Sequence, residues 1–235
     1  MKMKVTAACF AALMGLVGVA QPGSAADMPA KAPVYKAAVD AWNPWMVRVR
    51  ALGVVTRNSG VVDQVAGSGL RTTDSIVPEL DISYFFTRNI AAELILGVTP
   101  HKVTGTGAAA TNGLYVGKAW LLPPSLTVQY HFTDFGAFKP YVGVGANYTV
   151  FFNQSAGNTA NAAGVTVTRS NLHDTGGVVL QAGFDYMLDR HWGWNADVKW
   201  IYLRPKWDGT SSAGALTGKV NLDPILIGTG LTYKF

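Results

Sequence analysis

Apolar and polar residues alternate with a period of two along most of the chain from Trp42 onward. Successive side chains of a β-strand point to opposite faces, so this period indicates strands with one apolar and one polar face. Turn residues interrupt the alternation at intervals. The pattern predicts eight strands, over residues 42–57, 76–86, 89–102, 119–132, 138–152, 174–187, 192–204 and 218–235.

The seventh predicted strand shows the two faces most clearly. One face is apolar and aromatic and the other is polar: Trp194, Ala196, Val198, Trp200 and Tyr202 against Asn195, Asp197 and Lys199. In a soluble barrel the apolar face fills the interior, whereas in a lipid-embedded barrel it points outwards. Long apolar faces that end in Trp or Tyr are typical of a lipid-facing surface with interfacial aromatic belts. We therefore expect the polar faces to line a lumen.

The connections between the predicted strands alternate between short and long. Short connections fall at residues 87–88, 133–137 and 188–191, and long ones at 58–75, 103–118, 153–173 and 205–217. Short periplasmic turns and long extracellular loops are expected of an outer-membrane barrel. Backbone groups find no water in hydrocarbon, so the last strand must pair with the first. The predicted fold is all-β, an eight-stranded antiparallel transmembrane β-barrel over residues 42–235.

The first 26 residues have the features of a cleaved secretory signal peptide. Lys2 and Lys4 precede an apolar segment over residues 5–20, and small residues at 24–26 place the cleavage before Asp27. A retained membrane anchor is the alternative, although the apolar segment is short for a span. Residues 27–41 follow neither period and are predicted to be a periplasmic N-terminal extension. The sequence thus predicts export to the outer membrane.

Composition narrows the class of protein. Hydrophobic residues make up 49% of the 235 residues, yet no internal apolar run reaches the roughly 18 residues that a membrane helix needs. Charged residues make up only 14%, which is low for a soluble protein. The net charge of +5 is scattered, so no nucleic-acid partner is expected. The single cysteine, Cys9, lies in the predicted signal peptide, which leaves the mature chain without disulfides or cysteine chemistry.

The end of the chain carries a specific local signal. Leu231, Tyr233 and Phe235 share one face of the last predicted strand, and the final residue is aromatic. This arrangement resembles the C-terminal signature by which the outer-membrane assembly machinery recognises its clients. An ordinary amphipathic strand that happens to end in Phe is the alternative.

Several blocks of the mature chain, in this order, resemble the OmpW family. They are residues 45–48, 79–85, 89–93, 122–126, 129–132, 139–148 and Asp223-Pro224. The start at Asp27-Met28-Pro29 also resembles outer-membrane proteins of alphaproteobacteria. The resemblance implies an eight-stranded barrel with a narrow, partly apolar lumen. It also implies that small hydrophobic compounds cross the outer membrane through the barrel, leaving sideways into the bilayer, and that some members serve as bacteriocin or phage receptors.

Strand parity places many charges inside the barrel. The inward set is Arg48, Arg50, Glu79, Asp81, Glu93, Asp185, Asp197 and Lys199. Buried charges must be paired or hydrogen-bonded, because desolvation is otherwise very costly. We predict an ion-pair network that plugs the periplasmic half, with a proton relay or a binding site as the alternative. Eight strands enclose a space that side chains can just fill, which argues against a wide aqueous pore.

Closer to the predicted loops the inward residues become apolar. Leu52, Val54, Ile95, Ile201 and Leu203 share the lumen parity of their strands. Such residues are unusual in a water-filled porin and predict an apolar pocket that opens to the outside. Tight packing without a pocket is the alternative reading of the same pattern.

Catalytic chemistry has little support in the sequence. The four histidines, His101, His131, His173 and His191, lack a metal-ligand spacing. His173 and Asp174 are adjacent on a strand, so they point to opposite faces. We therefore predict no catalytic residue, no metal and no cofactor.

The leading functional hypothesis is a narrow conduit or binding barrel for small hydrophobic compounds. The rival is a plugged structural or surface-interaction barrel, a receptor or antigen that transports nothing. The expected partners are outer-membrane lipids, the assembly machinery and small hydrophobic solutes, with a phage or host ligand as a further partner class.

Overall fold

The computed structural model of the protein describes residues 42–56 and 59–235. The predicted signal peptide and N-terminal extension lie outside the described residues. In the described part, no helix is long and apolar enough to cross a membrane. The same part contains fifteen strands: β1 (Trp45–Val55), β2 (Ser59–Val62), β3 (Ser68–Thr72), β4 (Ser75–Phe85), β5 (Ile90–Gly97), β6 (Thr99–Gly107), β7 (Tyr115–Leu122), β8 (Ser125–His131), β9 (Phe138–Ala156), β10 (Val167–Leu172), β11 (Thr175–Met187), β12 (Trp192–Tyr202), β13 (Lys206–Ser211), β14 (Gly214–Asn221) and β15 (Ile225–Lys234).

Eight of these strands close into an antiparallel barrel. Around the ring their order is β1, β4, β5, β8, β9, β11, β12 and β15. The last strand pairs with the first from Met46↔Lys234 to Val55↔Ile225, so no edge of the sheet faces lipid. The predicted eight-stranded antiparallel barrel is confirmed.

The barrel has the expected orientation of its faces. On β12, Val198 is 48% exposed, whereas the flanking Asp197 and Lys199 are buried. On β8, Val128 is exposed while Gln129 is buried. Apolar side chains therefore face outwards to lipid, and polar side chains face the lumen.

Aromatic rings form a belt at the end of the barrel where the short turns lie. The ring centroids of Trp45 and Tyr84 are 5.0 Å apart, and those of Tyr233 and Phe235 are 4.9 Å apart, both edge to face. The backbone N–H of Phe235 donates to the carbonyl of Trp45 at 3.2 Å. Leu231, Tyr233 and Phe235 thus belong to the outward face at the periplasmic interface. Their role in assembly stays a prediction.

The long connections differ from the prediction of plain loops. They contain β2, β3, β10 and β13 and parts of β6, β7 and β14, and these strands build a strand-rich extension above the barrel. Its sheets run β3-β6-β7-β9 and β10-β13-β14-β2. Here apolar residues such as Val103 and Trp207 point inwards and lysines point outwards. The sense of the alternation reverses because the outside of this part is water rather than lipid.

Three predicted strands are interrupted where the barrel gives way to the extension. The segment 89–102 breaks at Val98, 119–132 breaks at Pro123-Pro124, and 218–235 breaks at residues 222–224. Proline lacks the N–H that a sheet ladder needs, which explains the breaks at Pro123 and Pro224. Asp223 also adopts a positive φ of 29°. These breaks mark the rim of the barrel.

Candidate functional site

Arg48 holds two carboxylates inside the periplasmic half of the barrel. Its Nη2 lies 2.6 Å from Oδ2 of Asp185, and its Nε donates to Oδ1 of the same residue at 3.0 Å. Its Nη1 forms an ion pair with Glu93. A two-pronged guanidinium–carboxylate contact fixes orientation as well as charge. Arg48 therefore ties β1 to both β5 and β11 across the lumen.

Arg50 and Lys199 form the upper layer of the same network. Arg50 lies 2.7 Å from Glu79, 2.6 Å from Asp81 and 2.8 Å from Asp197. Arg50 and Asp81 attract each other as opposite charges, but their atoms are not aligned as a hydrogen bond. Lys199 lies 2.7 Å from Glu79 and 3.1 Å from Asp197. The structure thus brings the eight sequence-predicted charged residues into one cluster, each of them buried.

Amide side chains complete the network, and the sequence analysis did not single them out. Gln181 donates from Nε2 to Asp197 at 2.9 Å and to Glu93 at 3.1 Å. Gln129 donates to Glu93 as well. Asn195 donates to Asp185 at 3.0 Å. All three lie on the polar faces of their strands, so strand parity is the signal that could have identified them.

Tyr141 is also missing from the residues predicted for the lumen, because an aromatic residue suggests the lipid-facing side. It is 1% exposed and stacks on His131 with 4.9 Å between the ring centroids. The guanidinium carbon of Arg48 lies 4.9 Å from the centroid of the Tyr141 ring, a cation–π distance. Tyr141 therefore packs against the charged network inside the lumen.

Above this network lies an apolar cavity. It contains about 620 Å³ of unfilled space, part of it open to solvent. All five residues predicted for the pocket line it, together with residues from the strand ends that the sequence analysis did not include: Leu52, Val54, Ile95, Ile201 and Leu203 with Leu121, Pro123, Leu222, Pro224 and Leu226. Glu79 and Lys199 form its polar floor. The ion-pair network is thus the bottom of the apolar cavity.

The apolar interior continues upwards into the extension. Leu70, Val103 and Val220 are buried there beside Trp207, whose indole N–H donates to Ser170 at 2.9 Å. These residues line a second cavity of about 300 Å³. Most of the residues that surround it come from segments predicted as loops, so their packing could not be foreseen.

The wall beside the main cavity has a seam. The ladder between β4 and β5 ends at Glu79↔Gly97, and β5 pairs with β8 only as far as Ile95↔Ser125. Among the described strands, β4 above this point pairs with β1 but not with β6. A groove of about 970 Å³ on the outside also borders Glu79 and Gly97, together with Pro78. The same two residues therefore line the cavity inside and the groove outside.

The histidines do not assemble a catalytic or metal site. No group of three or more potential ligands lies together in the described part of the chain. His173 contacts Asp208 of β13 at 2.5 Å, rather than its neighbour Asp174. Hydrogen bonds from Asn171 and His173 hold the pKa of the Asp208 carboxyl below its ordinary value. The pair of His173 and Asp208 lies on the exposed surface of the extension.

Comparison with known proteins places the barrel in a family. Residues 45–235 match the OmpW family. The chain is 50% identical to the outer-membrane protein y4mB of Sinorhizobium fredii, over 97% of this chain and 96% of that one. It is 32% identical to outer membrane protein W of Vibrio cholerae, over 81% and 88% of the two chains.

A solved structure agrees with these relatives. The crystal structure of the outer membrane protein OprG from Pseudomonas aeruginosa superposes with a TM-score of 0.72 at 26% identity, covering 81% of this chain and 95% of that one. The fold, the alternating faces and these matches agree with one another. The chain belongs to the OmpW family and is an outer-membrane β-barrel.

Proposed function

We propose that this barrel is a narrow conduit or binding barrel for small hydrophobic compounds. The observation that carries the proposal is the apolar cavity directly above a floor of paired charges. A cavity lined mostly by apolar side chains suits a small hydrophobic ligand. Passage of such a ligand straight down through paired, desolvated charges is disfavoured.

The seam between β4 and β5 supports a sideways exit into lipid. Between Glu79↔Gly97 and the backbone hydrogen bond from Thr73 to Lys102 the wall lacks a backbone ladder, and Pro78 contributes no N–H to this stretch. Gly97 leaves room on the inner side, where the nearest atom to an added Cβ is a carbonyl oxygen 3.6 Å away. A compound that leaves the cavity here enters the hydrocarbon without crossing the charged floor. The family resemblance implies the same route.

The rival function is a plugged barrel that displays its extension to an external ligand. Both hypotheses agree on a sealed periplasmic half. They differ on the cavity, which only a conduit needs. A test must therefore fill the cavity at the seam without unfolding the barrel.

Substitution Gly97→Phe makes that test. The residue lies directly opposite the inward-pointing Glu79, so a side chain at this position points into the cavity. The matched control is Gly53→Phe, because Gly53 also has one carbonyl oxygen at 3.6 Å but occupies the lipid-facing side of β1. Both variants are to be compared at equal surface abundance.

Uptake of 1-N-phenylnaphthylamine by intact cells, followed by its fluorescence, provides the readout. We expect the wild-type chain and Gly53→Phe to accelerate uptake, and Gly97→Phe to return it to the rate of cells lacking the chain. Hydrolysis of a polar β-lactam by a periplasmic enzyme should not change. Equal uptake with and without the wild-type chain would favour the plugged barrel, and faster β-lactam entry would indicate an aqueous pore.

A further inference from the structure

Two pairs of lysines face each other across neighbouring strands on the outside of the extension. Lys102 of β6 is in register with Lys118 of β7, and Lys206 of β13 is in register with Lys219 of β14. All four side chains are exposed. Directly opposite residues of an antiparallel pair have Cβ atoms about 4.5–5.5 Å apart, and like charges at that distance repel. Each pair is therefore a concentrated site of positive charge.

In the part of the chain that the structure describes, no acidic side chain forms an ion pair with these four lysines. Among the residues that the structure describes, none of the four ammonium groups forms an ion pair or a side-chain hydrogen bond. The nearby acidic groups have other partners. Asp63 accepts a hydrogen bond from Thr217 at 3.0 Å, and Asp208 pairs with His173.

The height of each pair points to the membrane surface. On β7 the next outward residue below Lys118 is Trp120, whose ring lies 6.4 Å from that of Phe152. Below Lys206, Tyr202 is an outward aromatic residue on which Arg204 stacks at 4.4 Å. Outward aromatic residues mark the interface between hydrocarbon and head groups. The lysine pairs thus lie just beyond this interface, on the side away from the periplasmic turns.

Arg204 differs from the lysines because it has an acidic partner. It lies at a similar height, but its guanidinium is paired with Asp223 at 2.9 Å. Within the described residues, the chain therefore neutralises this cation and leaves two opposed lysine pairs without an acidic partner. The two pairs lie on different sheets, β3-β6-β7-β9 and β10-β13-β14-β2, so they are separate sites.

We propose that each lysine pair binds a phosphate group of the phosphorylated glycolipid in the outer leaflet of the outer membrane. A phosphate accepts hydrogen bonds from two ammonium groups at once and cancels their repulsion. The acyl chains of the same lipid pack against the aromatic and apolar wall below. The ligand class is a lipid-linked phosphate, anchored beside the barrel at two positions.

Native mass spectrometry of the barrel released from phosphatidylcholine nanodiscs counts the bound lipids. With added diphosphorylated lipid A, we expect two retained molecules on the wild-type barrel and one on Lys102→Gln/Lys118→Gln. None should remain when Lys206→Gln/Lys219→Gln is added. Loss of charge-assisted hydrogen bonds should weaken each site about tenfold. The control Arg88→Gln, in a periplasmic turn, should retain two.

Two further arms of the experiment show which part of the lipid the lysines recognise, and a third tests the repulsion within one lysine pair. Dephosphorylated lipid A should not be retained above the phosphatidylcholine background. Inorganic phosphate alone should not displace diphosphorylated lipid A at equal concentration. In lipid-A-free nanodiscs, Lys118→Glu should be at least as heat-stable as the wild type, because the new carboxylate faces Lys102. Unchanged retention in the fourfold variant, equal retention of the dephosphorylated lipid, or displacement by free phosphate would each overturn the proposal.

Discussion

Arg50 and Leu52 lie two residues apart on β1 and point into the same lumen, yet their surroundings differ completely. Arg50 contacts three carboxylates within 2.8 Å. Leu52 borders the apolar cavity. The charged layer and the apolar layer are thus separated along the strand by about one pleat repeat, roughly 7 Å.

This comparison indicates that the charged half and the apolar half of the barrel interior have different roles. The charged half links strands across the lumen through paired side chains. The apolar half leaves space that a ligand can occupy, beside a wall whose ladder ends at Glu79↔Gly97. Substitutions in the charged layer and in the apolar layer should therefore have different consequences.

The largest effect is expected from Arg50→Ala. The substitution leaves Glu79, Asp81 and Asp197 buried with Lys199 as their remaining cation among the described residues. Removing one partner from a buried ionic cluster costs about 3–5 kcal/mol of unfolding free energy. Urea unfolding in lipid vesicles, followed by tryptophan fluorescence, measures the loss.

Leu52→Ala is the matched substitution in the apolar layer. We expect a smaller cost, about 2 kcal/mol, because Leu52 already borders unfilled space. The double variant Arg50→Ala/Asp81→Ala should cost less than the sum of its single substitutions. Equal losses for Arg50→Ala and Leu52→Ala would show that the charged layer has no special structural role.

An intermediate effect is expected from Gly228→Ala. A Cβ on Gly228 would lie 2.5 Å from Oδ1 of Asp197 and 3.6 Å from the side chain of Arg50. The network must shift to admit it, and overpacking of this kind costs about 1–3 kcal/mol. Gly53→Ala, on the adjacent strand and facing lipid, should change the same unfolding free energy very little. Similar losses in both variants would contradict the tight packing of the charged layer.

The smallest effect is expected outside both layers, at the exposed pair of Asp208 and His173. Hydrogen bonds from Asn171 and His173 lower the pKa of the Asp208 carboxyl in the folded state. A lowered folded pKa stabilises the protein above the ordinary pKa of an aspartate, and this contribution is lost as the pH falls through the lowered value. Asp208→Asn should therefore be slightly less heat-stable than the wild type at pH 7.

The difference between the two proteins should vanish in acid, below the ordinary range of an aspartate carboxyl. Thermal unfolding of both proteins across this pH range checks the sign. A variant that becomes relatively less stable as the pH falls would contradict it.

Strand parity alone predicts much of the barrel and of its interior. It places Arg48, Asp81 and Lys199 in the lumen because polar residues alternate with apolar ones, and each of the three is buried. The inverted sense of the faces follows from the length of the apolar faces. These features are local in sequence, so a single chain carries them.

The extension could not be predicted in the same way. Its strands reverse the sense of the alternation, and β10, β13 and β14 are only 6, 6 and 8 residues long. Partners such as Lys206 and Lys219 come together only when β13 and β14 pair. The stacking of Tyr141 on His131 escapes prediction for another reason, because it joins residues of two strands that no period connects.

Crystals of the barrel soaked with bromobenzene provide the most direct measurement of the central claim. Bromine is located by its anomalous scattering, and apolar cavities bind such ligands. We expect a peak among Leu52, Ile95 and Ile201, none among the charges below, and loss of the peak in Gly97→Phe. Bromine peaks confined to the lipid-facing surface, with the cavity empty, would contradict a binding site for small hydrophobic compounds.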